Sequence, residues 1–260
     1  MTRELSISEA VAQLHALGVR PGDVLLTHIS FRAVRPIEGG PEGLIAALGR
    51  AIEPGGTLVM PSWSGDDDRP FDPHQSRVAA DLGAAADTFW RLPDVRRSDH
   101  PFAFAARGAR ADEILADGLP LPPHRPESPV GRVFDLDGRI LLIGVDHDAN
   151  TTLHLAEFLA GVPYGISKYT TVLRDGVPRR IDYREPDHCC DRFRLANGWL
   201  AERGLQAEGL VGHAPAKLMR ARNLVEAALP KLAENPYVFL HPPDAGCSDC
   251  SEAWRTCHRS

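Results

Sequence analysis

The apolar and polar positions along the chain switch between a helical period and short unbroken runs, and the predicted elements follow those switches. Ile7, Val11, Leu14 and Leu17 recur at helical spacing, so the pattern predicts a helix over Ile7–Leu17, capped by Ser6 or Ser8 and stopped at Gly18. Pro21-Gly22-Asp23 then turns the chain into the apolar run Val24–His28, a core strand. A loop over Ile29–Gly40, a helix from Pro41 to Ile52 and a turn at Pro54-Gly55-Gly56 lead to a strand over Thr57–Met60. Strand, helix and strand in that order make a βαβ unit with parallel neighbours. Beyond it come a loop over Pro61–Pro73, a helix over Leu82–Leu92, a strand at Phe102–Ala106 and a short helix at Ala111–Ala116. Leu119–Pro129, with five prolines, is irregular.

The second half is read in the same way. Arg139–Ile143 is a buried strand, Gly144 ends it, and Asn150 or Thr151 caps a helix over Thr152–Leu159. Tyr169–Leu173 and Val177–Tyr183 flank Arg174-Asp175-Gly176, a hairpin signal. Helices over Asp187–Arg203 and Leu224–Leu232 and a last strand over Tyr237–Leu240 complete the chain. With no internal repeat and no linker, residues 1–260 read as a single α/β domain. Its expected form is three-layer α/β/α, with a mostly parallel central sheet and an antiparallel hairpin extension.

Composition narrows the partners. At 260 residues, 43% hydrophobic and 25% charged, the chain has the length and balance of one large globular domain. A net charge of −6 and a pI near 6.0 argue against general nucleic-acid binding and lean toward cationic ligands. No apolar run approaches the roughly 18 residues of a membrane helix, and the N-terminus lacks a signal-peptide core, so a cytoplasmic location is the expectation. The oligomeric state is open, a homodimer included.

Candidate chemistry gathers in three places. A strand ending in glycine, a polar loop and a helix start is where open α/β sheets hold ligands, so Gly144–Glu157 is the first place to seek a catalytic base, with His154 as the candidate and a histidine simply packed on its helix as the bland alternative. Asp66, Asp67 and Asp68 follow a predicted strand and, with Glu157, Glu185 and Asp187, would favour a polycation; taken alone, a run of aspartates is a solvated loop. Glu185 and Asp187, returned by the hairpin, are the candidates to orient His154. The loop Ser30–Gly40, with Arg32 and Arg35 before a helix, reads either as a phosphate site or as an ordinary connection.

All five cysteines lie in the last third of the chain, and their odd number without an export signal argues against a disulfide framework. Cys247-x-x-Cys250 has the spacing of metal ligands, and His188-Cys189-Cys190 offers more. On a helix His188 and Cys190 face opposite sides, so a structural zinc on Cys190, Cys247, Cys250 and a remote histidine is the expectation. His124 is the first choice, and His188, His241 and Cys189 stay open; the bland alternative is a set of reduced thiols.

Several segments then take on a common meaning: Leu25–Val34, Gly55–Trp63, Arg97-Ser98-Asp99-His100-Pro101, Ser128–Arg132 and Gly144–Glu157, with Glu185–Cys190 and Gly246–Cys250. Together they resemble the aminoglycoside 3-N-acetyltransferases, most closely the type IV, apramycin-modifying branch. Ile29-Ser30 departs from the two serines expected there. The resemblance implies acetyl-CoA as donor, an aminoglycoside amine as acceptor (apramycin, gentamicin, tobramycin) and direct transfer in a ternary complex. It implies His154 as general base with Glu185 as its orienting carboxylate, Asp67 and Asp187 as ammonium-binding groups, and Trp63 and Asp66 beside them. Ser30, Phe31, Arg32, Ala33 and Val34, with His100 and Phe102, would line the pantetheine arm. Chemistry also asks for an oxyanion donor, for which Thr152, Thr151 or N–H groups of the adjoining turn are the candidates. Competing readings are a metal-dependent hydrolase built on Asp146-His147-Asp148, Asp66–Asp68 and the cysteines, an acetyltransferase for a different amine, and a zinc-stabilised protein that sequesters antibiotics.

Overall fold

Side chains of a strand alternate between the two faces of a sheet, and here both faces are buried, which is why the central strands read as unbroken apolar runs. The computed structural model describes residues 3–116 and 118–257. Its strands are β1 (Val24–Ile29), β2 (Thr57–Pro61), β3 (Arg96–Arg97), β4 (Phe104–Gly108), β5 (Arg139–Ile143), β6 (Ile166–Arg174), β7 (Val177–Glu185), β8 (Gln206–Val211) and β9 (Ala214–Arg220). All but β6 and β7 form a seven-stranded sheet in the order β3-β4-β2-β1-β5-β9-β8, and β6 and β7 pair as a separate antiparallel hairpin. The pairs β1–β2 and β1–β5 are parallel, whereas β2–β4, β3–β4, β5–β9 and β8–β9 are antiparallel. The expected parallel sheet is therefore its centre, with only β4 and β9 reversed in direction; the pairings at both flanks are antiparallel.

The helices are α1 (Ile7–Leu17), α2 (Phe31–Val34), α3 (Gly40–Ile52), α4 (Gly83–Phe89), α5 (Ala111–Ile114), α6 (Pro129–Asp135), α7 (Thr152–Ala160), α8 (Ala196–Ala201), α9 (Ala221–Glu234) and α10 (Ser248–Thr256). The predicted start of α1 is a capping box: Ser6 accepts from the Glu9 N–H at 3.2 Å and Glu9 accepts from the Ser6 N–H at 2.9 Å. Leu25 of β1 and Leu141 of β5 join α1, α3 and α4 in one core, while Leu26, Ile140 and Leu142 join α6, α7 and α9 in the other. The sheet is thus the middle layer of three. Among the described residues, no helix is long and apolar enough to cross a membrane.

Two elements differ from the reading. Tyr237–Leu240 is a turn, not a strand, because its N–H groups bond locally (Val238 to Asn235, Leu240 to Tyr237) while Phe239 and Leu240 enter different clusters. The helix expected from Asp187 begins only at α8, after a 3-10 turn over Asp191–Leu195; Cys190 at φ 59° is left-handed and breaks it. The hairpin of β8 and β9, and helices α2, α6 and α10, lie outside the elements that the pattern predicts.

Candidate active site

The carboxyl ends of the parallel strands converge at one edge, as open α/β sheets require of their ligand sites. β1 brings His28, β2 leads into Trp63, and β5 ends at Gly144. Gly144 is needed here: its φ is +66°, and a Cβ would lie 2.6 Å from the Ala33 Cβ and 3.2 Å from the Ser30 carbonyl. The close approach lets the following loop cross the sheet edge and start α7 with His154 in its first turn.

His154 is the hub of the site. Its Nδ1 is 2.7 Å from Glu157 Oε2, one helical turn away, and the Glu157 carboxylate is fully buried. The other oxygen, Oε1, accepts from the Tyr164 hydroxyl and lies 2.9 Å from His188 Nε2. Burial would raise the Glu157 carboxyl, but His188 and His154 hold it down at about 2. For His154 burial lowers the pKa, and the Cys190 sulfur and Glu157 carboxylate more than reverse this, holding the imidazole well above the usual histidine value. Fixing Nδ1–H on Glu157 leaves Nε2 as the accepting nitrogen; it faces Cys190 Sγ at 3.5 Å. His124 stacks on His154 at 5.0 Å between ring centres, and burial keeps its imidazole well below the ordinary pKa.

Two cavities meet at this imidazole. One, about 330 Å³, is largely apolar and runs along Ile29, Met60, Ala85, Val145 and Thr151. The other, about 230 Å³, is walled by Asp67, Phe102, Lys168, Glu185 and Asp187. Trp63, His124 and His154 belong to both. In the second cavity Lys168 pairs with Asp187 and, at 3.2 Å, with Glu185. Burial pushes the Asp67 and Glu185 carboxyls upward, partly offset by the Lys168 ammonium. An ammonium is the natural occupant of such a space, and one from the chain is already there.

This geometry sorts the expected residues. His154, Trp63, Asp67 and Asp187 come together. Glu185 enters the acidic cavity but does not orient His154: its carboxylate bonds Lys168, and Glu157 takes the orienting position. Thr152 is fully buried and lines neither cavity, whereas Thr151 faces the apolar one with its hydroxyl 3.5 Å from His28 Nε2. Asp66 turns to Arg69 at 3.6 Å, outside the cavity. Among the described residues, none of Ser30–Val34 lines either cavity; Val34 is core, Arg32 is exposed, and the Ser30 N–H bonds the Ile143 carbonyl at 2.8 Å. Phe102 lies on the acidic cavity, not on an apolar arm. His100 is buried away from both, its Nδ1 accepting from the Phe102 N–H at 2.9 Å and its pKa pushed by burial to about 4. The metal set also changes: Cys190 and His124 stand against His154, and Cys189 joins Cys247 and Cys250 in their place.

Sequence reasoning misses Lys168 and gives other roles to three further residues of the site: Glu157 is expected among carboxylates for a polycation, and His188 and Cys190 among zinc ligands. Glu157 alone carried a usable signal, its i,i+3 spacing from His154. The groups behind the hydrolase reading are scattered: Asp146 holds Lys217 at 2.6 Å, His147 is 2.9 Å from Gln206, and Asp148 holds Arg194 at 2.7 Å.

A carboxylate-fixed imidazole between an apolar and an anionic cavity, at the carboxyl edge of a parallel sheet, is the site of an α/β enzyme acting on a cationic substrate. Known proteins give the class its name. The profile of the aminoglycoside 3-N-acetyltransferase family matches residues 26–233, and the chain belongs to that family of acyltransferases. It is 61% identical over 246 residues to aminoglycoside N(3)-acetyltransferase IV of Salmonella sp, covering 95% of this chain and 94% of that protein. Its fold matches AAC(3)-IVa as an H154A mutant in complex with a gentamicin, with a TM-score of 0.97 and 60% identity over 98% of this chain and 99% of that one. The same mutant in complex with apramycin gives 0.91 and 58% over 96% and 100%. AAC-IIIb as a binary complex with CoASH gives 0.81 and 27% over 89% and 97%.

Proposed function

We propose that this chain transfers the acetyl group of acetyl-CoA to the 3-amino group of aminoglycosides of the apramycin, gentamicin and tobramycin type, directly and within a ternary complex, and so confers resistance to them. One observation carries the reading: His154 borders both the apolar and the acidic cavity, so a thioester from one side and an amine from the other meet at its Nε2. The complexes of AAC(3)-IVa with a gentamicin and with apramycin, and of AAC-IIIb with CoASH, support the same pair of ligands.

The chemistry asks for this arrangement. An aliphatic amine is mostly protonated at neutral pH and attacks a thioester only after losing a proton. Asp67, Glu185 and Asp187 bind the aminoglycoside's ammonium groups, displacing Lys168 from the carboxylates. His154 Nε2 takes a proton from the attacking nitrogen, and the imidazolium is stabilised through Nδ1–H by Glu157. The nitrogen bonds to the thioester carbonyl carbon, and Thr151 donates to the oxyanion. As the C–S bond breaks, the His154 imidazolium gives its proton to the departing CoA sulfur, while the former ammonium's other surplus proton passes to solvent. Holding amine and thioester side by side supplies much of the rate, with effective molarities on the order of 10⁵ M or more.

Purified chain mixed with acetyl-CoA and apramycin should release free thiol and yield mono-acetylated antibiotic by mass spectrometry. His154→Ala should lower turnover by about 10²–10⁴-fold, the usual worth of a general base. Turnover near the wild-type value in that variant removes His154 from the mechanism, and absence of acetylation removes the reading.

A further inference from the structure

Three thiols take no part in that chemistry. Cys189 follows β7, while Cys247 and Cys250 sit at the start of α10, yet their Sγ atoms all lie within 4.8 Å of one another. Cys189 Sγ and Cys250 Sγ are 3.7 Å apart. That is far beyond a disulfide bond of about 2.05 Å. It matches the sulfur–sulfur edge, about 3.8 Å, of a tetrahedron with zinc–sulfur bonds of about 2.3 Å.

A backbone donor already faces the cluster. The His241 N–H points at Cys250 Sγ at 3.4 Å. Three thiolates so close need a cation to share them. The cluster is enclosed on one side by Tyr164, Leu240, Ala253 and Trp254, a small core separate from the two that flank the sheet. None of the three thiols lines the apolar or the acidic cavity.

We infer that Cys189, Cys247 and Cys250 bind one zinc ion as thiolates, with water in the remaining corner of the tetrahedron. On binding, three S–H groups lose their protons to solvent and three Zn–S bonds form; nothing is oxidised or reduced. The ion is structural, since neither cavity of the site opens onto its ligands. It staples α10 to the strip Asp187–Cys190, which carries an acidic-cavity carboxylate, the imidazole bonded to Glu157 and the thiol beside His154. Whatever the substrate, zinc therefore fixes one wall of the site.

Metal analysis of the full-length chain, purified reduced and without chelators, should find about one zinc per chain. Cobalt exchanged into the protein should show the intense visible bands of a tetrahedral ion and thiolate-to-metal charge transfer in the near ultraviolet. Cys189→Ser should lose the metal or weaken its retention, whereas Cys190→Ser and Cys257→Ser should keep it. That contrast between adjacent cysteines holds even if Cys247→Ser does not fold. Folded wild-type protein with far less than stoichiometric zinc and no tetrahedral cobalt spectrum overturns the inference. So does metal lost with Cys190 but not with Cys189, or a Cys189–Cys250 disulfide in protein as isolated.

Discussion

A base is useful only in its neutral form, and this sets the pH behaviour expected of His154 in the proposed mechanism. Burial favours the neutral imidazole, but the Cys190 sulfur and the Glu157 carboxylate outweigh it, so the folded-state pKa lies well above 6.5. Activity should then rise with pH through a limb displaced upward from that of a free histidine as the imidazole loses its proton. Glu157→Gln keeps the shape and an acceptor oxygen but removes the charge. The imidazole pKa falls, the acid limb of kcat/KM moves to lower pH, and the plateau drops by about 10²-fold or more because the imidazolium is no longer stabilised. Matched pH profiles of the two proteins test this; an unmoved limb would mean that Glu157 does not set the charge state of His154. Asp67→Asn and Asp187→Asn act on the acceptor side. Each should lower kcat/KM for the aminoglycoside by roughly tenfold, the scale of one charge-assisted hydrogen bond, while the KM for acetyl-CoA stays put. A rise in the acetyl-CoA KM instead would place these carboxylates on the donor path.

Elements explain why some of these residues are legible in the sequence and others are not. The strand, glycine and helix start around Gly144 can be read from an apolar run, a breaker and a cap, and they lead directly to His154. Its partner is harder to read: the hairpin does return Glu185 to the site, but its β6 strand also brings Lys168, which claims that carboxylate. Cys189 and Cys190 exchange roles for a related reason. A helix through Asp187–Arg203 would set them only about 100° apart, and the left-handed residue at Cys190 instead sends Cys190 toward His154 and leaves Cys189 with Cys247 and Cys250. The flanks of the sheet are hidden too, because β8 is largely exposed and lacks the apolar run that marks β1 or β5. Gly144 is the element-scale test. Alanine there meets the Ala33 Cβ at 2.6 Å and must hold φ at +66°. Left-handed backbone and overpacking together should destabilise the fold by about 2–4 kcal/mol. For a chain of this size that lowers Tm by several degrees, roughly 2–4 °C per kcal/mol, in a thermal melt. An unchanged Tm would show that the α2 segment yields freely.

Over the whole molecule, the two proposed substrates meet opposite fields. The chain carries a net charge of −6, and the acidic cavity concentrates Asp67, Glu185 and Asp187 around one lysine. An aminoglycoside with several ammonium groups is drawn in, which raises its encounter rate. Acetyl-CoA, the proposed donor, is a polyanion; on that proposal it approaches the same negative molecule against the field and takes its hold from the apolar cavity. Salt screens both effects over a Debye length of about 10 Å at 0.1 M and about 3 Å at 1 M. Raising ionic strength should therefore lower kcat/KM for the aminoglycoside steeply, while kcat/KM for acetyl-CoA stays level or rises. The slopes come from steady-state rates at a series of salt concentrations, with the other substrate saturating. Combining Asp67→Asn with Asp187→Asn should flatten the aminoglycoside slope and leave the acetyl-CoA slope alone, since neither residue lines the apolar cavity. Parallel falls for both substrates would mean that salt acts on the fold or on a common step, and the division of labour between the cavities would have to be abandoned.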